Sequence, residues 1–313
     1  MLNIRHAALS CIIGYYRQPI CSIGGDRRKV DYVKLSLEEF QAWKNKKITL
    51  LGMSGVGKTH LSSMLREHNW FHYSVDYRIG TRYLDEPIMD LIKQQAMQIP
   101  FLRDLMRKDW IYVRNNIKVD DLGPVLSFVG KLGNPELSGV PLEEFRHRQA
   151  LYRQAEIDAI RDIPVFVRKA QEIYGYPHFI NDVAGSLCDL EENGSVELLV
   201  RHTLILYIKA ADKYEEDELI RRAQKWPKPL YFRPAFLDEQ IQAYLQEHQL
   251  QYAAQMEPDA FTSWVFPRLF HSRIPRYEAI AEPHGYTVTS RQVNGLRDEQ
   301  DFLEMVEMAI AAG

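Results

Sequence analysis

Three cysteines in 313 residues, Cys11, Cys21 and Cys188, provide neither an even disulfide framework nor paired metal-ligand spacing. That excludes a disulfide-stapled secreted scaffold and predicts a reducing, cytoplasmic setting. Charge of one sign is also missing: 39 basic residues against 42 acidic ones give a formal net charge of -3. A chain so balanced exerts no long-range pull on nucleic acid or anionic membrane, so no nucleic-acid partner is expected. No apolar run is long enough to cross a bilayer, and the short run 7–16 behind Arg5 has no small-residue cleavage site of a signal peptide. No repeat or low-complexity segment occurs. What remains is an ordinary globular composition, 46% apolar and 26% charged, in a chain long enough for an enlarged α/β domain or a core with an accessory lobe.

Against these absences stands one dense motif. Gly52-Met-Ser-Gly-Val-Gly-Lys-Thr59 follows the apolar run 48–51 and leads into the helix-like stretch 61–66. That order of strand, glycine loop and helix is the context in which G-x-x-x-x-G-K-[ST], the Walker A pattern, cradles phosphate. Gly52, Gly55 and Gly57 allow positive φ and close backbone approach, so successive N–H groups point at an anion. Around them, Ser54, Val56 and His60 complete the expected nucleotide contacts. Lys58 supplies a point charge to the outer phosphates, and Thr59 supplies a hydroxyl to magnesium. ATP and Mg2+ are the expected cofactors.

The rest of the chain reads as alternating strands and helices. Ser36 and Glu39 form a capping box for a helix over 35–43; strands are expected at 48–51, at 70–75 ending on Asp76, at 178–180 with Asn181-Asp182 at its end, at 203–208 and at 286–289. The spacing predicts a helical stretch over 84–107 broken near Pro87 and Pro100, a short strand at 111–113, a glycine-rich loop over 120–139, and surface helices over 141–174. Further helices are expected over 215–225, 236–247, 260–270 and 299–312. Such alternation predicts a parallel sheet covered on both faces, a three-layer P-loop NTPase-type α/β fold with a largely helical insertion, and ligands at the carboxyl ends of the strands. Four regions are expected: an extension over 1–32, a phosphate-loop half over 33–94, an insertion over 95–172, and the remainder of the core with a lid over 173–313.

The kind of nucleotide protein is narrowed by missing motifs. No Asp-Glu pair, at 85, 217, 238 or 298, closes an apolar strand as motor ATPases require, and Asp182-Val-Ala-Gly185 is not followed by the N-K-x-D that recognises guanine. Two other segments carry a resemblance. Tyr73-Ser-Val-Asp76-Tyr-Arg-Ile79 resembles the D-x-D-x-x-I strand of shikimate-kinase-like enzymes with Ser74 in place of the first acid, and Arg273-Ile-Pro-Arg-Tyr277-Glu-Ala-Ile-Ala281 is similar to their R-x-P-x-Y-x-x-I-A segment. The stretch 204–231 resembles their strand, helix and lid, and nothing over 95–172 aligns with them. The resemblance implies a small-molecule kinase in which Asp76 orients the acceptor hydroxyl, Arg273 meets an anionic group on the acceptor, Arg221 or Arg222 packs on adenine, and Lys228 folds over the phosphates. Asp182 is expected to hold magnesium through water. The alternative is an ATP-hydrolysing regulatory protein that contacts a protein partner through 95–172.

Overall fold

Five short strands, three of them almost wholly buried, are the framework of the molecule. In the computed structural model, which describes residues 34–313, they are β1 (Lys47–Leu51), β2 (Trp70–Ser74), β3 (His178–Asp182), β4 (Leu204–Lys209) and β5 (Gly285–Thr289). The extension expected over 1–32 lies outside the described residues. All four pairings are parallel and the strand order is β2-β3-β1-β4-β5. The continuous apolar runs of β1 and β4 are those of strands covered on both faces. In the register, Ser74 of β2 and Leu50 of β1 both pair with Asp182, so β1, β2 and β3 end side by side. A buried polar bridge ties the middle of the sheet to the start of β4: Asn181 Nδ2 donates to Thr49 Oγ1 at 3.1 Å, and Thr49 and Thr203 share a hydroxyl hydrogen bond at 2.7 Å.

The helices are α1 (Leu37–Ala42), α2 (Lys58–Arg66), α3 (Val75–Arg78), α4 (Asp85–Ala96), α5 (Pro100–Arg107), α6 (Gly123–Val129), α7 (Leu142–Arg161), α8 (Ile163–Glu172), α9 (Asn193–His202), α10 (Lys213–Lys225), α11 (Pro234–Glu247), α12 (Pro258–His284), α13 (Ser290–Asn294) and α14 (Glu299–Ala312). The capping box at α1 forms as its sequence dictates, Glu39 N to Ser36 Oγ at 3.2 Å and Ser36 N to the Glu39 carboxylate at 2.7 Å.

Several sequence expectations give way to local chemistry. β2 stops at Ser74 because the Ser74 hydroxyl accepts from Tyr77 N and caps α3, so Asp76 stands in the first turn of a helix rather than on a strand. Pro87 breaks nothing, since it lies in the first turn of α4, where its missing N–H has no partner to lose. Pro100 opens α5 for the same reason. Residues 111–113 are not a strand, and 120–139 contains α6. The expected helix over 260–270 and the segment 273–281 belong to one 27-residue helix, α12, with Pro267, Pro275 and Pro283 inside it.

The expected surface helices over 141–174 are instead α8, which buries Ile163, Val167 and Ala170, and α7, a 20-residue helix that buries Phe145, Gln149, Ala155, Glu156, Ile157, Ala159 and Ile160. Its Tyr73 contact fixes it against β2, the Tyr73 hydroxyl donating to the Ala159 carbonyl at 2.6 Å. Arg78 and Tyr83 both donate to Asp162 at the α7–α8 junction, at 2.7 and 2.9 Å, which holds the α3 region against the same corner. Phe145 also joins a second, smaller core with Leu132, Phe232, Phe236, Leu237, Phe261 and Leu269, so the middle of the chain packs with α11 and the start of α12.

Candidate active site

The turn between β1 and α2 has the glycine backbone conformation that the phosphate-loop reading requires. Gly52, Gly55 and Gly57 have φ of 144°, 94° and 104°, and a Cβ on Gly52 would fall 2.4 Å from the Ile208 carbonyl oxygen; only glycine satisfies both the conformation and the space. Val56 is buried and anchors the loop from beneath, whereas Ser54 and Gly55 form its exposed crest and His60 is exposed on the first turn of α2. Lys58 Nζ donates to the Gly52 and Met53 carbonyls at 2.8 and 3.1 Å. Burial pulls the Lys58 ammonium below the usual lysine range, and the carboxylates of Asp182 and Asp76 oppose that pull. The charge therefore sits inside the cradle rather than in solvent.

Two acids flank it. Thr59 Oγ1 donates to Asp182 Oδ2 at 2.7 Å, and Asp182 is buried at the end of β3. Asp76 accepts from the Tyr152 hydroxyl at 3.2 Å. Burial, and secondly the negative charge of Asp182, push the Asp76 carboxyl up to about 6, with Lys58 and the Tyr152 hydroxyl acting the other way. A hydroxyl beside a carboxylate, with a second carboxylate near, is an all-oxygen donor set that suits a hard divalent cation. Magnesium takes only one or two protein ligands and completes its shell with phosphate and water; among the described residues there is no closed cluster of three or more His, Cys, Asp or Glu.

Sequence reasoning missed the wall opposite these acids. Gln149, Tyr152 and Glu156 lie along α7 on the stripe that runs from Phe145 to Ile160. Polar residues interrupting an apolar stripe at 145, 149, 152, 156 and 160 were the signal. Gln149 Nε2 donates to the Leu230 carbonyl at 3.0 Å and its Oε1 accepts from Phe232 N at 2.8 Å, which staples the segment behind the lid to α7. Glu156 has no exposed surface; its Oε2 accepts from the Ser186 hydroxyl at 2.5 Å and its Oε1 has no partner. Burial pushes the Glu156 carboxyl up to about 8 against the Ser186 hydrogen bond; the charge of Asp76 adds to the rise and Arg273 opposes it.

The remaining expected residues divide. Arg222 reaches the phosphate loop, its Nη2 lying 3.2 Å from where a Cβ of Gly55 would stand. Arg221 turns away and pairs with Glu218, and Lys228 is exposed in the 226–233 segment. Arg273 does not present a free cation, contrary to the role expected of it: it is 5% exposed, with Nε on Asp189 Oδ2 at 2.6 Å and Nη2 on the Tyr231 carbonyl at 2.9 Å. Its charge is already balanced by a buried carboxylate. Arg233 and Arg276 stand 3.9 and 3.8 Å from the other Asp189 oxygen, so Asp189 is the hub of a structural arginine cluster. Tyr277 of α12, four residues after Arg273, donates to the Gly185 carbonyl and fixes the loop after β3.

Neither a family model nor a curated protein matches the sequence. Among solved structures, the shikimate kinase from Bacteroides thetaiotaomicron aligns over 85% of this chain and 95% of its own, with 13% identity and a TM-score of 0.37. A likeness that faint carries no argument about chemistry. The fold class stands on the chain's own parallel five-stranded sheet, helices and glycine loop: α/β, with a P-loop at the carboxyl end of the central strand.

Proposed function

We propose that the protein is an ATP-binding phosphotransferase that moves the terminal phosphoryl group of ATP to a hydroxyl of a small-molecule acceptor. One observation supports this most: an amide-lined glycine loop with a buried lysine and a threonine–aspartate pair, and beside it a second, separately held carboxylate, Asp76. A nucleotide cradle alone needs no such second acid. In the proposed step the acceptor oxygen forms a bond to the γ-phosphorus, the bond to the bridging oxygen breaks, ADP leaves, and the acceptor proton passes to the Asp76 carboxylate. Lys58 and Arg222 balance the charge on the phosphate oxygens. Magnesium, when held by the Thr59 hydroxyl and Asp182, would supply further counter-charge there.

A second reading, an ATP-hydrolysing protein that docks on a protein partner, is favoured by the segment after α4. α5 buries no residue, and Phe101, Trp110 and Tyr112 are 70%, 69% and 88% exposed. One assay separates the two. Purified protein with ATP and magnesium is expected to release ADP faster when a pool of small hydroxylated metabolites is added, with a phosphate ester appearing in equal amount. Turnover indifferent to every such pool contradicts the kinase reading. Among the described residues no helix is long and apolar enough to cross a membrane.

A further inference from the structure

Two buried polar atoms on one wall of the candidate site have no partner: Glu156 Oε1 and the Tyr231 hydroxyl. They flank Tyr152, whose ring stacks on Tyr231 at 5.8 Å between centroids and whose hydroxyl reaches Asp76. Native interiors leave few such atoms unsatisfied, and each one asks for a partner that is not yet there. Resting on the transfer reading above, we propose that this α7 wall, Tyr152 and Glu156 with Ser186 and Tyr231, receives the acceptor and selects an uncharged, hydroxyl-rich molecule, a polyol or sugar, over a hydroxy acid.

The charges around the wall argue for that class. The groups facing Glu156 are Ser186, Tyr152, Tyr231, Asp76, Asp189 and Arg273. Arg273, the cation among them, is ion-paired with Asp189 and donates to the Tyr231 carbonyl, and Arg153 donates to the Leu190 carbonyl at 2.8 Å. A carboxylate placed against this wall would meet the charges of Asp76 and Asp182, and Arg273, the cation facing Glu156, is already ion-paired with Asp189. A neutral carboxyl at Glu156 both donates and accepts, as the two orphan atoms require for a vicinal hydroxyl pair. Glu156 holds its proton through neutral pH because burial and the charge of Asp76 raise its carboxyl to about 8.

The test supplies ATP and magnesium with three probe sets: glucose, ribose, myo-inositol and glycerol; shikimate, gluconate and glycerate; ethanolamine and serinol. Ester formation is followed by phosphorus NMR, and ATP affinity is measured on the same samples. Esters are expected on the first set. KM for the best neutral acceptor is expected to rise as pH passes about 8. Glu156→Gln, which keeps the shape and a donor but cannot ionise, removes that alkaline rise, whereas Glu156→Ala raises KM at least about tenfold at every pH, the cost of one lost hydrogen bond to a buried polar group. Folding is checked by stability against pH. A carboxyl whose folded value lies above 4.5 binds more protons in the native state, so wild-type stability should fall as pH climbs from about 4.5 to 8 and the Gln variant should lack that part of the fall. Esters on the acids or amines alone, with ATP binding intact, overturn the acceptor class and leave the transfer reading standing, as does an alkaline rise that survives in Glu156→Gln. No ester on any set sinks the transfer reading and this inference with it.

Discussion

Asp76→Asn is expected to lower phosphoryl transfer by about 10²- to 10⁴-fold, the usual contribution of a positioned general base, while ATP binds as tightly as before. The separation follows from the geometry. Asp76 is carried by α3 and held by Tyr152, off the glycine loop, whereas the nucleotide contacts proposed above come from the loop and α2. Asparagine preserves size and accepts the same hydroxyl, so the Tyr152 contact persists and only the proton acceptor is lost. Acid sensitivity follows from the same carboxyl. With Asp76 raised to about 6, only its deprotonated form takes the acceptor proton, so the wild-type transfer rate should fall as pH drops through about 6. The asparagine variant's residual rate should lack that limb. Equal transfer in the two proteins, or an unchanged acid limb in the variant, removes Asp76 from the mechanism.

Arg273→Ala should destabilise the fold by about 3–5 kcal/mol, because it leaves the fully buried Asp189 without its closest cation. Arg233 and Arg276, each nearly 4 Å away, soften the loss and place the expected value toward the lower end. The double variant Arg273→Met with Asp189→Leu should recover most of it, since apolar residues of similar volume often replace a buried ion pair at little cost. Urea unfolding measures both. A single-variant loss below about 1 kcal/mol would mean that Arg273 is not the clamp described and would restore a ligand-facing role to it.

The phosphate loop and the strands around it were legible because their signals are local. Glycine spacing, the lysine and threonine, and the apolar runs at 48–51 and 203–208 state their conformations without help from distant residues. Asp182 was equally legible, since a strand end beside the loop leaves its side chain little choice. Ser74 shows where local reading stops. In a motif it looks like a missing acid, whereas its hydroxyl is the cap that ends β2 and starts α3, a role set by the backbone three residues on. Pro87 is similar: proline reads as a breaker until its place in the first turn of a helix is known. The α7 wall was illegible for another reason. Tyr152 and Glu156 meet Asp76 and Ser186 across separations of 76 and 30 residues, and only the packing of α7 on the sheet's rim makes them neighbours. Arg273 was misread because a motif fixes position but not partner; the carboxylate that consumes its charge, Asp189, lies 84 residues earlier in the chain.

The central claim is that the loop at 52–59 grips the phosphates of ATP through its amides and Lys58. Calorimetric titration of ATP with magnesium into the wild type and into Lys58→Ala, with melting curves to confirm that both are folded, tests it most directly. Losing a charged hydrogen-bond donor is worth about 1.5–3 kcal/mol, so the variant should bind ATP roughly ten- to a hundredfold more weakly. Equal affinity in the two proteins would contradict the account.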